Sequence, residues 1–213
     1  HLRDRGMYFP PALAAHVIGH VASALDYAHR LCDDQGQHLE IIHRDVSPQN
    51  ILISYDGDIK LIDFGIAKIA NSSVQTAAGV LKGKYAYMSP EHAGSKPLDR
   101  RSDIWSLGVV MYEQLSGRRL FIGGSVADTI DQVLSHDIPK LDNVPETLSA
   151  VIDRMLCRDL EVRYQTHAEV ADALKLALSG APHAVNEQHL CTWMDHLFPL
   201  DKRLEMDLTE NDV

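Results

Sequence analysis

Between Ile104 and Leu115 the chain carries Trp105, Leu107, Val109, Val110 and Met111, so a helix here is apolar on nearly every face. Such a helix has no side to give to water and must be surrounded by other elements of the same chain. The candidates lie on both flanks. Pro10 and Pro11 suit a first helical turn, where a missing N–H costs nothing. After them Leu13, Val17, Val21, Leu25 and Ala28 recur at helical spacing, which predicts a long amphipathic helix. Further helices are predicted over 126–134, 146–157, 166–178 and 187–198, with Pro139, Pro145 and Pro182 as breaks. Two short β-rich runs, 51–54 and 59–62, flank the turn Tyr55, Asp56, Gly57 and Asp58 and predict a hairpin. Residues 32–40 read as a polar loop and 71–84 as a long surface loop, a kind that tends to be functional in compact domains. The expected fold is one compact unit, mainly α with a small β-hairpin region. The acidic stretch 201–213 reads as a solvated end.

Charge narrows the partners. The 213 residues have a formal net charge of −10 and contain no basic run, which argues against a nucleic-acid or anionic-membrane surface and leaves proteins and small molecules. The three cysteines, Cys32, Cys157 and Cys191, are far apart and odd in number, suggesting neither a disulfide framework nor a zinc site. No apolar stretch approaches the roughly 18 residues that a membrane span needs, and no signal-peptide pattern opens the chain. A cytoplasmic segment is expected. His16 and His20 have metal-ligand spacing on one helix, but no third ligand is identifiable, and they read as surface histidines.

The chemistry concentrates before and after the hairpin. His43-Arg44-Asp45-Val46-Ser47-Pro48-Gln49-Asn50 precedes it, Asp63-Phe64-Gly65 follows it, and Ser89-Pro90-Glu91 closes the long loop. A carboxylate that can take a proton, beside oxygen ligands able to hold magnesium on phosphates, is what phosphoryl transfer requires. This succession resembles the catalytic loop, metal-binding motif and activation-loop end of protein kinases, in particular the eukaryotic-type serine/threonine kinases of bacteria. The resemblance covers about residues 8 to 178 and continues in Ser102-Asp103-Ile104-Trp105. It implies the protein kinase-like fold, here its C-terminal lobe over 1–180 followed by an extension over 181–213.

Residue by residue, the resemblance implies Asp45 as base, Asn50 and Asp63 as magnesium ligands and Leu52 as the lower wall of the adenine site. His43 and Phe64, with Gly65 beside them, become packing residues. Asp103 would bond the backbone of the catalytic loop, although an acid in the first turn of a helix can equally be a plain cap. Arg163 would pair with Glu91 to tether the loop to the core. Arg44 would receive a phosphate added to Thr76, the first choice, or to Ser72 or Ser73; any of the three can also be a plain loop residue. Two positions depart from the family. Ser47 stands where a lysine usually follows the catalytic aspartate, and Lys84 stands where threonine usually follows glycine. An exchange is expected: Lys84 supplies the cation near the transferred phosphate and Ser47 the hydroxyl.

The family's glycine-rich loop, and the lysine that grips the phosphates, have no counterpart upstream of His43; the first lysine of the chain is Lys60. The N-terminal lobe, through which ATP would bind, is therefore expected to be absent, and the chain alone is expected to transfer no phosphate. The parent reads as a kinase using ATP and Mg2+ on protein substrates. The alternative is a pseudokinase or scaffold lobe that docks proteins, disfavoured because Asp45, Asn50 and Asp63 are all present. Trp193, Leu197 and Phe198 are expected to fold back on the lobe rather than dock a partner.

Overall fold

The computed structural model describes residues 8–64, 83–179 and 185–199. Its centre is α3 (Arg101–Ser116), in which Ile104, Trp105, Leu107, Val109, Val110 and Met111 are fully buried. The chain surrounds it as its all-round apolarity demands. Helix α1 (Pro11–His29) starts on the predicted proline and lays Leu13, Val17, Ile18, Val21 and Leu25 against the core. It packs along both α3 and α6 (His167–Ala177). Helix α5 (Glu146–Met155) closes another side of α3 at Gly108, where an added Cβ would sit 3.0 Å from Met155 Cβ and from Leu156 Cδ2. A side chain there would have to push Met155 or Leu156 aside by a few tenths of an ångström.

Caps explain where the peripheral helices begin. Ser125 and Asp128 form a reciprocal capping box at α4 (Val126–Ser135), and the Thr166 hydroxyl accepts from Glu169 N–H at α6. From α1, Asp26 adds a second acceptor for the start of α6, taking the Ala168 N–H at 3.2 Å. The last described helix, α7 (Glu187–Leu197), begins on Asn186, whose side chain accepts from His189 N–H. It folds back, burying Leu190 in the common core. The one-turn helix α2 (Pro90–Ala93) and a 3-10 turn (Pro48–Asn50) are too short for apolar periodicity to reveal.

The hairpin is smaller than the β-rich runs suggest. Strands β1 (Ile51–Ile53) and β2 (Ile59–Leu61) pair antiparallel in the register Ile51 with Leu61 and Ile53 with Ile59. Two strands of this size hold only if something packs on them, and α1 lies against β2. Among the described residues, no helix is long and apolar enough to cross a membrane. The predicted loop 71–84 lies outside the described residues as far as residue 82.

Candidate active site

The loop between α1 and the hairpin is held from below by one buried carboxylate. Asp103, in the first turn of α3, accepts His43 N–H on Oδ2 at 2.7 Å and Arg44 N–H on Oδ1 at 2.8 Å. It therefore ties down another segment rather than capping its own helix. Arg44 adopts a left-handed φ of 65°, a conformation that costs a non-glycine residue about 1–3 kcal/mol unless the surroundings enforce it. The paired bonds from Asp103 enforce it. Burial pushes the Asp103 carboxyl up to about 6, opposed by the two backbone N–H groups and the Arg44 guanidinium.

The rest of the loop is cross-braced. His43 Nε2 lies 3.0 Å from Ile62 O, and the His43 ring packs on Phe64 with centroids 4.6 Å apart. Asn50 donates its amide to Asp45 O at 2.7 Å and accepts Ile62 N–H on its backbone oxygen at 2.9 Å. These bonds bring both ends of the hairpin to one place, so Asp63, with a left-handed φ of 58°, stands directly after a residue bonded to both His43 and Asn50.

Lys84 reaches the same point from the far side of the long loop. Its Nζ donates to Asp45 Oδ2 at 2.8 Å, with the lysine side chain 40% and the aspartate side chain 12% exposed. Ser47 does not join them: it is buried and its Oγ has no hydrogen-bond partner among the described residues. Among the described residues no hydrogen bond joins the Ser47 hydroxyl to Asp45 or Lys84, and the serine is buried at the start of the 3-10 turn. Beside Asp45 and Lys84 opens a cavity of about 410 Å³, lined by Val46, Tyr85, Tyr87, Met88 and Leu98.

Glu91 and Arg163 form a buried bidentate pair, Nη1 to Oε1 at 2.9 Å and Nη2 to Oε2 at 3.2 Å. Ser102 Oγ adds a third donor to the carboxylate at 2.7 Å. Burial raises the Glu91 pKa, but the Arg163 guanidinium and Ser102 outweigh it and hold the carboxyl below its ordinary range. Another buried acid escaped the sequence reading. Glu113 of α3 accepts Tyr87 O–H at 2.7 Å and Leu120 N–H at 3.0 Å, and Arg119 donates to Tyr87 Oη at 2.8 Å. Its only signal in the sequence is an acid within the apolar run that follows Asp103 on the same helix.

Of the remaining expected site residues, Leu52 projects from β1 and is 48% exposed, on the wall of a separate cavity of about 760 Å³. Gly65, Ser72, Ser73 and Thr76 lie outside the described residues. The His16 and His20 rings meet at a tilt with centroids 4.3 Å apart, and among the described residues no group of three or more metal-ligating side chains occurs.

Comparison with known proteins decides the family. The sequence pattern of the "Protein kinase domain" family matches residues 1–174. The chain belongs to the protein kinase family. Among its relatives is the "Tyrosine-protein kinase MasK" of Myxococcus xanthus, 39% identical over 176 residues, 81% of this chain and 27% of that protein. The "Serine/threonine-protein kinase PknB" of Mycolicibacterium smegmatis is 41% identical over 184 residues, 82% of this chain and 28% of that one. The "Serine/threonine-protein kinase PknL" of Mycobacterium tuberculosis is 38% identical over 167 residues, 76% and 40% respectively. The chain spans well under half the length of these curated relatives. The matched span includes His43-Arg44-Asp45 and Asp63-Phe64-Gly65.

The donor set fits magnesium. Asn50 spends its N–H on Asp45 O and keeps its amide oxygen, and Asp63 offers an exposed carboxylate. Two hard oxygen ligands from the protein, with phosphate and water completing the shell, is a common arrangement for this ion.

Proposed function

We propose that this chain is the large, substrate-processing lobe of a serine/threonine protein kinase, with residues 1–180 forming the lobe and 181–213 an extension. The observation that carries the reading is the 2.8 Å contact between Lys84 Nζ and Asp45 Oδ2 on a loop anchored by Asp103. A carboxylate able to take a proton and a cation side by side support this reading, because phosphoryl transfer needs both near the reacting hydroxyl. Asp45 orients the substrate hydroxyl and takes its proton as the new O–P bond forms and the bond to ADP breaks. Lys84 neutralises charge on the moving phosphoryl group. Asn50 and Asp63 would hold magnesium, which would supply charge neutralisation on the phosphate oxygens. Leu52 forms the lower wall for the adenine ring, and the apolar cavity beside Lys84 takes the residue next to the acceptor of a protein substrate. Arg44 receives the phosphate of a modified Thr76, Ser72 or Ser73.

Serine and threonine are favoured over tyrosine because the catalytic loop lacks the arginine-rich variant of tyrosine kinases, and two of the three relatives named above are called serine/threonine kinases. The reading makes the segment cytoplasmic, with ATP and proteins as its partners and no nucleic acid. The residues upstream of His43 contain no glycine-rich phosphate loop, so the chain by itself transfers no phosphate. The test is label transfer from radiolabelled ATP with magnesium, by this chain joined to a kinase N-terminal lobe and by its Asp45→Asn counterpart. Label in the first alone supports the reading. Label in neither favours a scaffold lobe, and label from the unjoined chain would overturn the inactivity.

A further inference from the structure

Helix α7 lies beyond the residues that match the kinase family, yet it converges on the strand that carries Leu52. A helix of its 11 residues is marginal in water on its own, so packing must hold it. Leu190, Met194 and Leu197 are buried at 0%, 8% and 3% exposure.

The helix is pinned at two points. At the hairpin turn, Gly57 has a φ of +92°, and a Cβ there would lie 2.7 Å from Glu187 O and 3.4 Å from Cys191 N. The turn and the first turn of α7 therefore meet backbone to backbone, an approach that any side chain would prevent. Tyr55 of the same turn meets Phe198, just past the helix end, with ring centroids 6.0 Å apart. The second point is the entry to α1, where Phe9 packs on Trp193 at 4.2 Å and is itself held by a bond from its N–H to Gln114 O. Between the two points runs β1, whose Ile51 is buried and whose Leu52 is exposed. One cavity is shared by Leu52, Ile53, Trp193, Met194, Leu197 and Phe198. A hairpin of two three-residue strands has too little pairing to hold its own height, so whatever grips its turn and its open face sets where Leu52 stands.

We propose that α7 is a positioning element of the nucleotide site, a strap that clamps the hairpin turn and fixes β1, and so Leu52, beneath the adenine ring. The inference rests on the reading of Leu52 as the adenine wall. Trp193 and Gly57 are positioning residues: neither touches the reacting atoms.

The test uses Trp193→Ala and Gly57→Val, which loosen the strap from opposite sides. Amide hydrogen exchange is followed over residues 51–61 in the chain itself, with the amides of α3 as the report of an intact core. Kinetics are measured on the same variants joined to a kinase N-terminal lobe. The expected result is hairpin exchange about 10-fold faster with α3 unchanged, and a KM for ATP raised about 5-fold with kcat within about twofold. Unchanged hairpin exchange in both variants would overturn the strap. Faster exchange with an unchanged KM for ATP would overturn its role at the nucleotide site. If the unsubstituted joined protein transfers no phosphate, the proposed function fails and takes the nucleotide role with it; hairpin exchange in the same variants tells that outcome apart from failure of the strap.

Discussion

Lys84 and Asp45, 39 residues apart in the chain, meet at 2.8 Å. The lysine enters from the end of the long loop, and the aspartate belongs to a segment whose backbone Asp103 holds from beneath. The position that usually supplies a cation in this family is occupied by Ser47, which is turned inward. The charge is therefore present at the site although its usual bearer is not.

From this follows an asymmetry between the two departures. Lys84→Met in the active protein is expected to lower kcat about 100-fold, the scale of losing one charge-stabilising group in a phosphoryl-transfer site. Ser47→Ala should leave kcat within about twofold, since removing an unpartnered buried hydroxyl breaks no bond. Steady-state kinetics on both variants checks this. A large loss in the serine variant with none in the lysine variant would refute the assignment.

Asp103 makes stability depend on pH. Its carboxyl is raised to about 6 in the folded chain, against about 3.9 when unfolded, so its stabilising share is complete below about pH 4 and lost as pH rises through 6. The full loss is about 3 kcal/mol, of which about 2 falls between pH 4.5 and 7.5. Urea unfolding of the chain at those two pH values, each referenced to Asp103→Asn, isolates this group because asparagine does not titrate. A reference-corrected stability that stays level would show that the two N–H bonds offset burial.

The Glu91–Arg163 pair should tolerate removal of both members better than removal of one. Arg163→Met leaves Glu91 buried and unpaired and is expected to cost about 3–5 kcal/mol, whereas Glu91→Leu with Arg163→Met together should cost clearly less. Denaturant unfolding of single and double variants forms the cycle. The pair's contribution is present above the ordinary carboxylate range and is lost in acid, because the Glu91 carboxyl is held low by the guanidinium.

His167 works in the opposite pH direction from Asp103. Both its ring nitrogens are buried without hydrogen-bond partners among the described residues, and burial, aided by His29 and Arg100, pushes its pKa down to about 3. Its unfolded value is about 6.5, so stability is full above that pH and falls as acid protonates the unfolded chain, by about 2 kcal/mol at pH 5. His167→Phe should remove that loss between pH 7 and 5 without destabilising the chain at neutral pH. Thermal or urea unfolding at both pH values reads it directly.

Much of this arrangement is legible in the sequence. Proline at the start of α1 and the unbroken apolar run of α3 are local signals, each acting within a few residues. The one-turn helix at Pro90 was not legible, because four residues cannot display a period. Neither was Glu113, whose partners Tyr87, Arg119 and Leu120 come together only when the chain folds over α3.

The sequence by itself determined the helices, the hairpin and the residue types that phosphoryl transfer needs, since these depend on short-range periodicity and on motif spacing. Tertiary structure alone decided that Asp103 ties down a distant loop rather than capping its helix. It also decided that Ser47 turns inward while Lys84 takes the carboxylate, and that α7 closes on Gly57. Each of these rests on where a side chain points and what backbone lies opposite it, and such choices are made by packing across segments tens of residues apart.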